Sequence, residues 1–344
     1  MNPYALSIII SSMALGTVTT LSSYHWILAW IGLEINTLAI IPLMTKTPHP
    51  RAIEAATKYF LTQAAASALI LFASTLNAWI SGEWAINTPI SSAPAILLSI
   101  AIAMKLGIAP FHFWLPEVLQ GLSLQTGLIL STWQKLAPMA LLIQLSQSTN
   151  LNLLLILGLL SAMIGGWGGI NQTQIRKILA FSSIAHLGWM VAVLKLSPQL
   201  TLFNFALYIV MTSTLFLTFM FMNTKNIFEL STSWPKAPAL TALSLLTLLS
   251  LSGLPPLTGF LPKWLIAQEM IKQDLTVFAL VILLSTLLSL FFYLRLTYTM
   301  SLTLAPNSSF SSSNWPLFKK NVMATPIVFS LFLLPTTPIM LTLL

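Results

Sequence analysis

Five ionisable side chains lie inside long apolar stretches of the sequence, where charged residues are otherwise rare. A lysine or an acid at the centre of a membrane helix costs about 2.5–3.5 kcal/mol on insertion scales. The glutamate and three lysines together cost on the order of 10 kcal/mol, comparable with the whole stability of a typical domain, so we expect them to have a function. Every one of these side chains can bind and release a proton, which predicts a proton relay. The five are Glu34, Lys105, Lys135, His186 and Lys263.

These residues suit protons better than metals or redox cofactors. Sodium binding would require several carboxylates or carbonyls, yet only Glu34 places an acid deep in an apolar stretch. No two histidines have the helical spacing of metal ligands, so we predict no zinc or haem site. The absence of cysteine excludes disulfides, thiolate-bound iron–sulfur clusters and a cysteine nucleophile. We therefore predict neither a metal site nor a cofactor-binding site in this chain.

Each relay candidate also has a structural interpretation that the sequence leaves open. Glu34 could pair with a lysine and lock two helices together, which would not exclude proton transfer. Lys105 and Lys263 could donate hydrogen bonds to free carbonyls at helix ends. His186, in the segment SSIAHLGW, could be a hydrogen-bonded interior group. A structural role is least expected for Lys135, which lies midway along an apolar stretch.

The composition defines the class of protein that must position these residues. The 344 residues are 56% hydrophobic and only 6% charged, and the mean hydropathy is +0.87. Such a chain has too little polar surface to cover a soluble globule, so we predict an all-α polytopic membrane protein. The net charge of +8 is scattered between apolar runs without a basic stripe, which argues against nucleic-acid binding.

Apolar runs of the length that crosses a bilayer number about eleven. Two of them, the fourth and the ninth, contain glycine and proline and are predicted to be broken. The predicted spans are 3–21, 25–44, 56–80, 93–120, 122–146, 150–170, 174–196, 200–222, 237–272, 275–301 and 322–343.

The two predicted breaks resemble each other in sequence. GIAPFHFWLPE at 107–117 and GLPPLTGFLPK at 253–263 align at a constant offset of 146 residues. The breaks fall in the fourth helix of two successive five-helix units. Because each unit has an odd number of spans, the second unit would cross the membrane in the opposite orientation to the first. We therefore predict two inverted repeats, an arrangement in which broken helices meet near the ion site. His112, inside the first break, is expected to be structural, and the role of Glu117 is left open.

No linker divides the chain, so we predict a single transmembrane domain over 1–344. It would contain a first inverted repeat at 1–146, a second at 147–301, and a loop with a C-terminal helix at 302–344. Positive charges are concentrated in the loops on the N-terminal side, which predicts an N-terminus inside and a C-terminus outside. These charges are Lys46, Arg51, Lys58, Arg176, Lys177, Lys225, Lys236, Lys319 and Lys320, against Lys195 and Lys272 on the opposite side.

Six segments, in order and spread over the whole chain, closely resemble one family. They are MNPYALSIII, WIGLEINTLAIIPLM, KLGIAPFHFWLPEV, STWQKLAPMALL, QIRKILAFSSIAHLGWM and SGLPPLTGFLPKW. The resemblance is to the animal mitochondrial family of NADH–ubiquinone oxidoreductase chain 2, antiporter-like membrane-arm subunits of respiratory complex I.

The resemblance implies a subunit of an H⁺-translocating NADH:ubiquinone reductase in the mitochondrial inner membrane, with its N-terminus on the matrix side and its C-terminus on the intermembrane-space side. It also implies that NADH, FMN, iron–sulfur clusters and ubiquinone are bound by other subunits, that the partners are neighbouring membrane-arm subunits and lipids, and that nucleic acid is not a partner. The family's glutamate and lysine pair corresponds to Glu34 and Lys105, its central lysine to Lys135, and the lysine of its second broken helix to Lys263. His186 would lie on the polar axis between them.

Two other functions remain as alternatives. The chain could be a structural scaffold with a vestigial polar axis, in which case neutralising that axis would leave pumping normal. It could also be a free-standing cation/proton antiporter, which the single deep acid argues against.

Overall fold

The computed structural model describes residues 2–46, 48–234, 238–301 and 324–336. Those residues form α-helices connected by short loops, with one 3₁₀ turn at Leu334–Thr336 and two isolated backbone bridges. The helices are α1 Pro3–Ser22, α2 Trp26–Met44, α3 Pro50–Ser81, α4 Ser92–Leu106, α5 Trp114–Gly121, α6 Leu124–Ser131, α7 Trp133–Gln144, α8 Leu151–Ile170, α9 Ile175–Val193, α10 Pro198–Met222, α11 Ile227–Ser231, α12 Pro238–Ser252, α13 Phe260–Lys272, α14 Thr276–Ser301 and α15 Ala324–Phe332.

Six of these helices are long and apolar enough to cross a membrane: α1, α2, α3, α8, α10 and α14. Their starts follow ordinary capping rules. The side chains of Asn2, His25 and His49 accept hydrogen bonds from backbone amides in the first turns of α1, α2 and α3. The all-helical class predicted from composition is confirmed. The eleven-span count remains a prediction. Of the last predicted span, 322–343, only residues 324–336 lie within the described part of the chain.

Both predicted breaks are present, and they have the same length. The first separates α4 from α5 at 107–113, and the second separates α12 from α13 at 253–259. The glycine that opens each break adopts a left-handed conformation, with φ 75° at Gly107 and 86° at Gly253. Because a side chain is strained at such angles, glycine is favoured at both places. The similarity of the two segments is thus matched by their backbones.

The fifth predicted span differs from expectation, because 122–146 contains two helices instead of one. Helix α6 ends at Ser131, and α7 begins at Trp133. The hydroxyl of Thr132 donates to the carbonyl of Leu128 at 2.7 Å, and that of Ser131 donates to the same carbonyl at 3.1 Å. Hydroxyls that bond back to the preceding turn compete with the backbone ladder and bend helices, which gives a physical reason for the interruption.

The chain forms two compact units, Met1–Ser161 and Ala162–Leu344, which divide within α8. In the first unit, α1 lies closely against α2 because Gly16 and Gly32 bring the two backbones together. Helix α3 packs against α2, α4 and α5, and α7 packs against α1, α2 and α4. In the second unit, α9 packs against α10, α13 and α14, and α12 packs against α10 and α14.

Each unit also contains one short antiparallel bridge in a corresponding place. His25, which precedes α2, pairs with Ala85, which precedes α4. Gln174, which precedes α9, pairs with Asn226 in the loop region before α12. The breaks and bridges agree with a repeat of the same helix order, while the repeat boundaries at 146 and 147 and the inverted arrangement remain predictions.

Candidate functional site

A small polar cavity in the first unit contains two of the predicted relay lysines. Lys105 and Lys135 both line it, and about 10 Å³ is open to the centre of a water molecule, close to the lower limit for holding one water. Both lysines are almost completely buried, with 5% and 3% of their surface exposed. The polar side chains beside them in the wall are Asn36, Thr37, Tyr59, Gln63 and Gln134.

Glu34 approaches this cavity from α2 and is half-buried. Its carboxylate accepts a hydrogen bond from the Thr37 hydroxyl at 3.3 Å. It lies close enough to Lys105 and Tyr59 to act on both electrostatically. Among the described residues, the ion pairs within 4 Å are those of Lys58 and Lys272, so Glu34 is not held by direct contact with Lys105.

Lys105 lies in the last turn of α4, directly before the first break. The carbonyls freed there are bonded by other groups, because Gln63 donates to the carbonyl of Lys105 at 3.4 Å and the Trp114 indole donates to that of Met104 at 3.2 Å. Within the described part of the chain, the ammonium of Lys105 has no hydrogen-bond partner. The capping role that the sequence left open for Lys105 is therefore performed by Gln63 and Trp114.

Lys135 lies in the first turn of α7, just after the interruption at Thr132. The neighbouring Gln134 donates to the side-chain oxygen of Asn36 at 3.0 Å and fixes α7 against α2. This bond places Lys135 next to the helix that carries Glu34. The sequence predicted the burial of Lys135 but not Gln134 and Asn36, since amides in a helix give no signal of their partners.

The second unit contains a similar cavity, lined by His186 and Lys263. It also has about 10 Å³ open to the centre of a water molecule. His186 reaches it from α9, Lys263 from α13 and Tyr293 from α14, with the hydroxyls of Ser285, Thr286 and Ser289 completing the polar wall. The structure thus brings four of the five predicted residues to two cavities, one in each compact unit, while Glu34 lies on α2 beside the first cavity's Leu33 and is not part of its lining.

Lys263 differs from Lys105 in its contacts. Its ammonium donates to the carbonyl of Ser252 at 2.8 Å and to that of Leu251 at 3.5 Å, and both carbonyls lie at the end of α12. The side chain is half-buried. The capping interpretation therefore describes Lys263 in this structure, and capping is compatible with proton transfer because a protonated ammonium is the group that donates.

His186 lies among hydroxyl groups that were not singled out from the sequence. Its Nε2 atom is 3.5 Å from the Tyr293 hydroxyl, and its ring centroid is 5.8 Å from that of Tyr208. The hydroxyl of Tyr208 lies near Ser183 and Thr212, whereas that of Tyr293 lies near Ser182. Tyrosine and serine are common in apolar helices, so only the paired serines next to the histidine in SSIAH could have indicated the cluster.

The remaining sequence candidates lie apart from both cavities' polar walls. His112 is buried and its ring packs on Phe113 at 4.3 Å. Glu117 accepts from Lys58 at 2.7 Å, and the same ammonium bonds to Glu54 at 2.5 Å. This exposed ion triad joins α3 to α5, and such pairs contribute little to stability. In the described residues, no three histidine, aspartate or glutamate side chains come together as metal ligands.

Two family models cover nearly all of the chain. Residues 23–289 match the model described as NADH:quinone oxidoreductase/Mrp antiporter, transmembrane. Residues 290–341 match the model described as NADH dehydrogenase subunit 2 C-terminus.

Known relatives and solved structures agree with these models. The chain is 61% identical to NADH-ubiquinone oxidoreductase chain 2 of Aquarana catesbeiana over 99% of both chains. It is 59% identical to the Xenopus laevis protein of the same name, over 99% of this chain and 100% of that one. A chain of respiratory complex I from Thermus thermophilus with bound aureothin is 26% identical, with a TM-score of 0.87 over 99% of this chain and 80% of the other.

A more distant likeness shows the same fold. A chain of the Mrp complex from a Dietzia species superposes with a TM-score of 0.83 at 17% identity, over 97% of this chain and 75% of the other. Family models over nearly the whole length and relatives of about 60% identity lead to one conclusion. The chain belongs to the NADH-ubiquinone oxidoreductase chain 2 family, within the antiporter-like membrane proteins.

Proposed function

We propose that this chain is a proton-translocating membrane subunit of respiratory NADH:ubiquinone oxidoreductase and that its protons move through the two polar cavities. The observation that carries the proposal is the pairing of ionisable side chains at two polar cavities, Lys105 with Lys135 at one and His186 with Lys263 at the other. Membership of the family and the fold shared with a complex I chain support the same function.

In the first unit, charge coupling between Glu34 and Lys105 drives the transfer. When Glu34 is ionised, it favours the protonated form of Lys105, because opposite charges in a low-dielectric interior attract strongly. When Glu34 gains a proton, that attraction is lost, and Lys105 releases its proton toward Lys135 across the cavity. A single water would be enough to bridge groups that line so small a space.

In the second unit, proton release at Lys263 is coupled to the helix break. The ammonium holds the carbonyls of Leu251 and Ser252 only while it can donate hydrogen bonds. Loss of the proton weakens this cap at the end of α12. The proton and the local structure of the break are therefore linked at one residue.

The redox chemistry belongs to other subunits in this proposal. NADH, FMN, iron–sulfur clusters and ubiquinone are bound elsewhere in the complex, and this chain contacts other membrane-arm subunits and lipids. It lies in the mitochondrial inner membrane as a multi-pass protein, with the N-terminus in the matrix and the C-terminus in the intermembrane space. The biased distribution of lysine and arginine supports this orientation.

The test is substitution of Lys135 by methionine in the assembled complex. Methionine keeps the length and apolar stem of lysine but carries no proton, so we expect the number of protons pumped per NADH to fall strongly. Measurement in proteoliposomes gives this ratio directly. Lys46→Met is the matched control, because Lys46 is exposed at the end of α2 and should leave the ratio unchanged.

A scaffold role gives the opposite result. If the polar axis were vestigial, Lys135→Met would assemble and pump with the full stoichiometry. The carbonyl cap of Lys263 is the one observed contact that suits a scaffold, and it concerns only that residue. A free-standing antiporter would instead transport cations after purification away from the complex.

A further inference from the structure

Tyr293 lies at the second cavity but has no place in the relay described above. It is on α14 and only 1% exposed. Its hydroxyl is 3.5 Å from His186 Nε2, and its side chain lines the same cavity as Lys263. Three helices therefore bring an imidazole, a phenol and an ammonium to one cavity.

The surrounding contacts position this side chain. The ring of Tyr293 packs against Phe292 with 4.4 Å between the centroids, and the Ser182 side chain on α9 lies near its oxygen. Tyr208 is also close to His186, but its hydroxyl lies near Ser183 and Thr212 and its side chain is not part of the cavity wall. Of the two tyrosines at His186, Tyr293 is thus the one that also reaches the Lys263 cavity.

A phenol hydroxyl can accept one hydrogen bond and donate another at the same time, so it can pass a proton between two groups without acquiring a lasting charge. We propose that the Tyr293 hydroxyl is the proton-transfer group between Lys263 and His186. This inference rests on the proposed function and adds a residue to it.

The transfer balances without an electron donor or acceptor. An N–H bond of the Lys263 ammonium breaks and its proton passes to the single water that fits the cavity. That water gives a proton to the Tyr293 oxygen while the Tyr293 O–H proton moves to Nε2 of neutral His186. One N–H bond is lost at lysine, one is formed at histidine, and tyrosine and water are regenerated.

The test is Tyr293→Phe in the assembled complex reconstituted in proteoliposomes. Phenylalanine keeps the ring that packs on Phe292 and removes only the hydroxyl. We expect the rate of proton pumping to fall about tenfold or more, since a positioned proton donor and acceptor typically contributes about 10²–10⁴-fold. Oxidation of NADH by a soluble artificial electron acceptor should be unchanged, because that reaction bypasses the membrane arm.

Two tyrosine variants serve as matched controls. Tyr298→Phe removes a hydroxyl from the exposed face of the same helix and should pump normally. Tyr208→Phe removes the other hydroxyl near His186 and should reduce pumping much less than Tyr293→Phe. Normal pumping by assembled Tyr293→Phe, or an equal loss in Tyr208→Phe, would overturn the assignment.

Ser182→Ala keeps the experiment decisive if Tyr293→Phe does not assemble. It leaves Tyr293 in place but removes the hydroxyl that lies beside the Tyr293 oxygen, so a several-fold loss of pumping is expected and full pumping would contradict the proposal. Lys263→Met distinguishes a failure of the proposed function from a failure of the role of Tyr293. If Lys263→Met pumps normally, the proposed function fails, whereas loss in Lys263→Met with normal pumping in Tyr293→Phe removes only the role of Tyr293.

Discussion

At the scale of single residues, similar lysines at the two helix breaks have different surroundings. Lys105 lies before the first break and its ammonium is not used to cap the helix, because Gln63 and Trp114 bond the free carbonyls. Lys263 follows the second break and bonds two carbonyls of α12. In the proposed relay, the first lysine would respond to the charge of Glu34, and the second would link its proton to the hydrogen bonds of the backbone.

Arginine at Lys263 separates capping from proton transfer. Arginine keeps a positive charge and hydrogen-bond donors but does not lose its proton in proteins. We expect Lys263→Arg to preserve more of the assembled complex than Lys263→Met does, yet to pump no better. Assembly is measured on native gels and pumping in proteoliposomes. Wild-type pumping by Lys263→Arg would show that this residue does not exchange protons.

Glutamine at Glu34 tests charge coupling in the first cavity. Glu34→Gln keeps the size of the side chain and removes the charge that acts on Lys105, so we expect pumping to fall several-fold with little loss of thermal stability. Stability should be retained because no ion pair of Glu34 is present among the described residues. Glu54→Gln is the control, since its exposed pair with Lys58 is worth about 0–1 kcal/mol. Equal pumping by the two variants would refute the coupling.

At the scale of elements, helix interruptions place the charged groups. The two breaks open at glycines with positive φ, and the third interruption at Thr132 comes just before Lys135. A continuous helix satisfies all its interior backbone groups internally, so it offers no free carbonyls for side chains to meet. Interruptions thus create polar positions in an otherwise apolar bundle.

Alanine at Gly253 tests the geometry of the second break. The φ of 86° is strained for alanine by about 1–2 kcal/mol, and the added carbon would come within 2.9 Å of the Lys263 ammonium nitrogen. We expect lower thermal stability together with reduced pumping.

Gly82 provides the matched position, with φ 75° and open space around it. Gly82→Ala should cost a similar backbone strain and leave pumping unchanged. Thermal denaturation and proton pumping are compared in the two variants. Normal pumping by Gly253→Ala would show that the ammonium tolerates displacement.

Removing the hydrogen bond between Gln134 and Asn36 tests whether the contact between α2 and α7 positions Lys135. Gln134→Leu leaves a buried amide of Asn36 without this partner, which costs about 1–3 kcal/mol. We expect a lower melting temperature and slower pumping. A double-mutant cycle with Asn36→Leu measures the coupling, and additive effects on stability would contradict the bond.

At the scale of the whole molecule, the charges differ between units that resemble each other in backbone. Lys105 aligns in sequence with Leu251, and Lys263 aligns with Glu117 at the offset of 146 residues. The groups on the two units are therefore individually placed. This difference favours one relay that uses both units over two identical sites.

A double variant distinguishes these possibilities. If Lys135 and Lys263 act in one path, either methionine variant blocks it. The double variant should then pump as much as the single variant that pumps less. Two independent paths would give a partial loss in each single variant and the sum of the two losses in the double variant. Proton pumping per NADH in the four complexes measures the difference.

The sequence by itself determined the helical membrane class, the two breaks and the five candidate residues. It could do so because apolar runs, glycine and proline act locally, and a charge in an apolar helix is costly wherever the helix lies. The structure added the length of each break and the positive φ of Gly107 and Gly253. The interruption at Thr132 was missed because serine and threonine tolerate helices and bend them only through particular hydrogen bonds.

Only the tertiary structure decided which groups meet. The partners of these residues come from other helices: Gln63 at the end of α4, Asn36 at Gln134, and Tyr293 at His186. A side-chain contact between distant helices depends on how their surfaces pack, and the sequence pattern of one helix does not encode the rotation of its neighbour. For that reason the sequence predicted the candidate proton carriers, while the fold placed Lys105 with Lys135 in one cavity and His186 with Lys263 in another, and gave the two break lysines different contacts.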